Sequence, residues 1–316
     1  MRTFTLIAFV CLSFAPILLN AQVDREYVLR AIDYQEERDF ESAVVYYTRA
    51  IDWGGEMAAL PEVYLERGTC FFRLKQYRQA LKDLDFGLSL DNSNHVLYMQ
   101  RAMVFYSLLK PEYAIEDFVE ALKLVDNDST EVAIRLNLGS ARMMHRDFEG
   151  AHGEFSIILN HDSTHVAALT NMGVALNNLG RPGEAIQYLK RAVAANPKDP
   201  ASHINIGFHF LRREAYKDAI PHFDKAIELK PGAALAYNNR GYAKLMTGNT
   251  LEALNDVNKS LRLFPTNAYA YRNRALIFFD LEKNEQACED LQLAIDHKFT
   301  QQYGNEVQQL LSTKCE

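Results

Sequence analysis

The sequence predicts an all-α fold, a solenoid of helix-turn-helix repeats stacked in one dimension, and three observations carry that prediction. First, a small residue, an alanine twelve positions on and a usually small residue seven further recur eight times along the chain. Second, steps of three, four and seven between the apolar positions of each set bring them to one side of a helix. Third, the 316 residues exceed what a single core usually organises, yet no Gly/Ser/Pro tract marks a domain boundary. A repeat architecture reconciles the length with the continuity.

Taken in order, residues 1–21 read as a secretory signal. Arg2 forms a short basic start, an apolar run extends from Phe4 to Leu19, and Ala21 stands at a cleavage position. Pro16 breaks that run and Asn20 and Gln22 follow it, which makes it a poor membrane span. Cys11 lies mid-run behind Phe9 and Val10, the wrong place for a lipid anchor. No later apolar run is long enough to span a bilayer, so no membrane insertion is expected once the signal is removed.

The solenoid is expected over residues 22–301. Its sets are Ala31/Ala43/Ala50, Gly68/Ala80/Gly87, Ala102/Ala114/Ala121, Gly139/Ala151/Ile158, Gly173/Ala185/Ala192, Gly207/Ala219/Ala226, Gly241/Ala253/Ser260 and Ala275/Ala287/Ala294. Their offsets of 37, 34, 37, 34, 34, 34 and 34 place repeats near 24–60, 61–94, 95–131, 132–165, 166–199, 200–233, 234–267 and 268–301. The two long offsets read as three-residue loop extensions, near "IDWGGEMAALP" and "LVDNDSTEV". Small residues at positions 8 and 20 of each repeat let helices A and B approach, while bulky ones such as Phe105, Phe118, Phe210 and Phe223 fill the space beside them. Proline closes helix B in Pro197, Pro231 and Pro265; Gly55, Asn92, Asp126, Ser163 and Phe299 stand there in the other repeats. Residues 302–316 read as a polar-faced capping helix in the place of a further helix A.

This pattern resembles the tetratricopeptide repeat (TPR), a 34-residue helix-turn-helix unit, over nearly all of the chain after the signal. The resemblance implies a right-handed superhelical solenoid of about eight TPR units, with helix A lining a concave groove. It also implies a protein or peptide partner.

Arg occupies position 7 in Arg67, Arg101, Arg240 and Arg274, and the same four repeats carry Asp at position 23: Asp83, Asp117, Asp256 and Asp290. A charge on helix A with its opposite sixteen residues on is expected to pair across each hairpin as a packing device. Cys288, early in the last helix B, and Cys315, near the end of the cap, should lie side by side. They form either a bridge or two buried thiols; a bridge would contribute roughly 2–4 kcal/mol. Cys70 reads as a lone small hydrophobe.

Composition excludes several functions. Without Arg2 the chain carries 33 basic against 41 acidic residues, a formal charge of −8, so nucleic acid is not an expected partner. Gly-rich phosphate loops, the GxSxG turn and HExxH are all missing, and the expectation is a non-enzyme with no metal and no cofactor. His161 and His165 have a metal-pair spacing but fall in a turn between repeats, while His203, His209 and His222 point different ways from one repeat.

Position 6 carries the binding expectation. It is Asn137, Asn171, Asn205, Asn239 and Asn273, spaced by 34 residues, where earlier repeats have Leu29, Glu66 and Gln100. Amides spaced in this way can hold the NH and C=O groups of an extended chain without reading its side chains. The row is similar to the asparagine ladder of superhelical TPR proteins such as O-GlcNAc transferase and kinesin light chain. Val174, Phe208, Tyr242 and Leu276 at position 9, with Met143, Leu211, Leu245 and Phe279 at position 12, are expected to make the groove apolar. Positions 2 hold Ala133, Ala167, Ala201, Leu235 and Tyr269, and Arg272 alone is basic at position 5 of these repeats, so a basic clamp on an acidic tail is disfavoured.

The expected function is therefore a scaffold or adaptor, exported to the periplasm or beyond; the "NAQ" signal end and the "ACEDLQLAI...KC" tail resemble bacterial envelope repeat proteins. Two other readings are a regulatory or targeting subunit of an envelope enzyme, such as a glycosyltransferase or protease, and a structural homo-oligomer whose groove is filled by a second copy.

Overall fold

The computed structural model describes residues 23–315, so the expected signal lies outside the described residues. Those residues are helical throughout, with no strand among them. They divide into two compact units, one ending at Glu154 and the other beginning at Phe155.

The first unit holds α1 (residues 23–36), α2 (Phe40–Trp53), the 3-10 turn η1 (Glu56–Ala59), α3 (Pro61–Arg73), α4 (Tyr77–Leu90), α5 (His95–Ser107), α6 (Pro111–Leu124) and α7 (Asp128–Met144). α8 (Phe148–His161) contains the boundary. The second unit continues with α9 (Val166–Asn178), α10 (Pro182–Ala195), α11 (Pro200–Leu211), α12 (Tyr216–Leu229), α13 (Ala234–Met246) and α14 (Thr250–Leu263). It ends with α15 (Ala268–Asp280), α16 (Asn284–Asp296), α17 (Phe299–Tyr303) and α18 (Glu306–Lys314). The two extended segments take different forms. The first becomes η1 before α3; the second lengthens α7 by a turn capped by Asn127, whose Oδ1 accepts from the Thr130 amide.

Every alanine of the repeated motif has no exposed surface, from Ala31 to Ala294. They are the points where A and B helices touch, and the large core side chains Phe118 in the first unit and Phe223 in the second pack beside them, fully buried. A β-carbon on Gly207 would stand 2.6 Å from the Phe223 ring, whereas one on Gly68 meets nothing closer than 3.2 Å. Gly207→Ala is therefore expected to destabilise the second unit by about 1–3 kcal/mol in spite of alanine's better helix propensity. Gly68→Ala should fall well below that in the same urea titration; equal effects would refute the close-approach account.

The turn from helix A to helix B uses one conformation each time it recurs among the described residues. Arg38, Lys75, Leu109, Arg146, Gly180, Glu214, Gly248 and Glu282 all have φ between 57° and 81°. Only two of them are glycine, so the sequence does not advertise the left-handed position that six other residues adopt at a steric cost.

The arginines of position 7 grip more than one helix. Arg101 holds Asp117 through Nε and Nη2 at 2.8 and 2.7 Å, and its Nη1 reaches back to Asp85 at 2.7 Å. Arg240 repeats this with Asp256 and Asp224, Arg274 with Asp290 and Asn258, and Arg67 with Asp83 and Thr48. One guanidinium fork thus closes its own hairpin and ties it to the B helix of the preceding repeat.

The expected single capping helix over 302–316 is two pieces. Gly304, at φ 93°, ends α17, and α18 starts two residues later. α18 packs on α16 through the buried Val307, and Cys288 and Cys315 are joined as a disulfide. Cys70 is the free cysteine among the described residues. Burial pushes its thiol up to about 12, the pKa of an inert side chain at neutral pH.

Candidate functional site

In the second unit α9, α11, α13 and α15 are the A helices of successive repeats, and neighbours among them touch. Position 6 of each therefore recurs on the same side, as the 34-residue period requires. Asn171 and Asn205 are half-buried, and no hydrogen bond of either side chain is found among the described residues. Asn239 is also half-buried and accepts from Asn238 Nδ2 at 3.2 Å. Asn137 belongs to the first unit, where its Nδ2 donates to the Ala133 carbonyl one turn back.

Asn273 is corrected by the structure. It has no exposed surface, its Oδ1 accepts from Arg272 Nη1 at 2.9 Å, and its Nδ2 donates to Asn238 Oδ1 at 3.0 Å. The cause is the cap. Arg272 is drawn inward by Glu306 of α18 and lies between the Tyr242 and Tyr269 rings, and Asn273 is sealed beneath it. Burial opposes the charge on Arg272, but the Glu306 carboxylate overcomes it and holds the pKa above the ordinary arginine value. The lone basic residue expected in the groove is thus consumed internally.

A cleft of about 390 Å³ opens over α11, α13 and the start of α15. Its amides are Asn205, Asn238, Asn239 and Asn267; its apolar walls are Ile204, Phe208, Leu235, Tyr269 and Tyr303. Phe208, Leu235 and Tyr303 are 46%, 54% and 53% exposed, high for side chains of their size. No carboxylate, amine, guanidinium, imidazole or thiol lines the cleft; its titratable groups are the phenols of Tyr269 and Tyr303. Among the described residues no group of three metal-binding side chains converges, and no helix is long and apolar enough to cross a membrane.

The apolar strip is narrower than the sequence predicts. Leu211 leans on the core around Phe223, Leu245 on that around Val257, and Phe279 on the cap core under Lys314. Position 12 is therefore core flank in these repeats. Val174, Tyr242 and Leu276 are half-buried, Met143 is half-buried in the first unit, and Phe208 alone of position 9 stands well exposed. Asn267 and Tyr303 belong to the cleft but had no repeat position that marked them, because they come from a helix cap and from the α17 segment. Asn238 did have one, position 5, and was legible as the amide beside Asn239.

The histidines serve packing. His165 caps α9 by accepting from the Ala168 amide, His203 meets the Pro197 carbonyl, and His209 bonds Asn177. Burial pushes His209 and His222 below the usual imidazole pKa, which suits neutral rings such as that of His222 stacked on Phe210.

Stacked antiparallel helix pairs with an open, uncharged cleft define a helical-repeat solenoid. The tetratricopeptide repeat family model matches residues 136–200 and 205–265. A tetratricopeptide repeat protein of Parabacteroides merdae superposes with a TM-score of 0.54 at 18% identity, covering 93% of this chain and 100% of that one. The Cut9–Hcn1 hetero-tetramer structure matches with a TM-score of 0.61 at 15% identity, over 88% of this chain and 53% of that one. Small glutamine-rich tetratricopeptide repeat-containing protein 2 of Saccharomyces cerevisiae is 30% identical over 130 residues, 40% of this chain and 33% of that protein's length. Residues 136–200 and 205–265 thus match the tetratricopeptide repeat, and the described residues have the fold of a tetratricopeptide repeat solenoid.

Proposed function

We propose that this protein is a non-enzymatic scaffold that holds an extended segment of a partner protein across α9, α11 and α13 of its second unit. The observation that carries the reading is the cleft itself, in which the unbonded amide of Asn205 and the Asn239 amide, held at its oxygen alone, are set among exposed apolar side chains with no carboxylate, imidazole, amine or thiol beside them. Amides of this kind bind main-chain groups, and the apolar walls supply area. Export is part of the proposal. The apolar N-terminal run motivates it, and a Cys288–Cys315 disulfide suits an oxidising compartment.

The experiment uses the chain from residue 22 as bait in envelope extracts, with bound proteins identified by mass. Asn171→Ala, Asn205→Ala and Asn239→Ala combined should reduce capture of its partners at least tenfold, since three lost hydrogen bonds at about 1 kcal/mol each exceed that factor. Unchanged capture by a variant with unchanged helicity would end the reading. Fractionation that leaves the protein in the cytosol would end the export part alone.

A further inference from the structure

Two of the four amides of the cleft, Asn238 and Asn239, are polarised by a single residue. A guanidinium can only donate, so the Asn273 atom that meets Arg272 Nη1 at 2.9 Å is its oxygen. The other end of Asn273 is then its nitrogen, donating to Asn238 Oδ1 at 3.0 Å, and Asn238 Nδ2 must in turn donate to Asn239 Oδ1 at 3.2 Å. The chain of bonds runs one way, from Arg272 to Asn239, and leaves the Asn239 NH₂ as the group turned to a ligand. A second donor stands nearby. Asn267, 7% exposed, spends its Oδ1 on the Tyr269 and Ala270 amides that begin α15, and its buried Nδ2 has no partner. It sits in the wall of the same cleft.

We propose that the cleft selects a proline-rich segment in the polyproline II conformation. The inference rests on the peptide-binding reading above and adds a ligand class to it. A strand-like peptide offers both C=O and N–H groups; Asn205 can answer either, but an N–H set against Asn239 or Asn267 would meet a donor and lose its hydrogen bond to water without replacement. Consecutive prolines have no N–H, and polyproline II leaves their carbonyls unpaired. Fixed donors answer those carbonyls, and the exposed Phe208 and Tyr303 rings give the flat apolar faces on which pyrrolidine rings pack. Arg272 and Asn273 are positioning residues in this scheme; they set the polarity of Asn239 without touching the ligand.

The test measures fluorescence anisotropy with three labelled, end-blocked octapeptides: octaproline, an alternating Thr-Val peptide that is extended and bears N–H groups, and a Gly-Ser peptide. Octaproline is expected to bind at least tenfold more tightly than either. Asn273→Asp reverses the chain, because a carboxylate at 273 can only accept: Asn238 then donates to it, and Asn239 turns its oxygen outward. Octaproline affinity should fall at least tenfold in that variant. Because a buried carboxylate can unsettle the fold, Asn239→Asp serves as a second variant. It keeps the acceptor that Asn238 needs, replaces the outward NH₂ by oxygen, and should show the same loss with an unchanged melting curve. Octaproline binding no better than the Gly-Ser peptide, or binding unaffected by both variants, overturns the proposal. Binding of the Thr-Val peptide that is lost in Asn205→Ala/Asn239→Ala, without octaproline binding, overturns it while leaving the peptide-binding scaffold intact.

Discussion

Replacing Asp256 by alanine is expected to lower the stability of the second unit by about 3 kcal/mol, the low end of the range for breaking a buried ion pair. The carboxylate accepts from Arg240 Nε and Nη2 at 2.8 and 2.6 Å and lies 3.0 Å from Lys244 Nζ, with only 8% of its side chain exposed. Burial opposes the charge on Arg240, but hydrogen bonds to Asp256 and Asp224 more than offset this and hold its pKa above the ordinary arginine value. Without Asp256 the guanidinium stays enclosed with one partner at its Nη1 end, and two cations face each other. Asp224 keeps the loss from being larger. Asp224→Ala makes the contrast: that side chain is 53% exposed, and its removal should cost less than about 1 kcal/mol. Urea unfolding measures both, and hydrogen exchange in α13 and α14 should localise the first, since repeats lose stability with their neighbours. A loss under 1 kcal/mol for Asp256→Ala would mean that the fork is a surface contact and not a staple.

Loss of the Cys288–Cys315 disulfide should cost about 3 kcal/mol. The two cysteines are 27 residues apart, and the chain-entropy estimate for a loop of that length is roughly 3.5 kcal/mol. The cost falls on α18, a short helix whose one fully buried side chain is Val307. A helix of this length has little stability of its own. Reduction, or Cys288→Ser with Cys315→Ser, should raise the exchange rate of α18 amides while leaving α9 and α10 unchanged. It should also free Glu306 from Arg272, so that Asn273 becomes accessible to solvent. An α18 that stays protected after full reduction would show that packing on α16 suffices.

Much of this molecule was legible in the sequence, for a physical reason that differs from feature to feature. The repeat register could be read because each alanine at an A–B contact has no room for a larger side chain, which prints a period on the chain. The Arg240–Asp256 pairing could be read because both partners lie in one hairpin, sixteen residues apart. Its second arm, to Asp224, runs sixteen residues the other way and was equally countable, but its meaning depends on how neighbouring hairpins stack. The left-handed turn residues were illegible, because Arg, Lys, Leu and Glu adopt there a conformation they do not advertise.

The sequence by itself determined the all-helical repeat, the faces on which its paired helices meet and the row of amides at position 6, since all of these follow from local periodicity repeated at constant spacing. Only the tertiary structure decided which amides remain open. Asn205, Asn239 and Asn273 occupy the same place in their repeats, but the last of them has the broken cap beside it where the others have a regular repeat. There Glu306 pulls Arg272 inward and Asn273 becomes a buried link, so its role is set by what stacks against it and not by its position in the period.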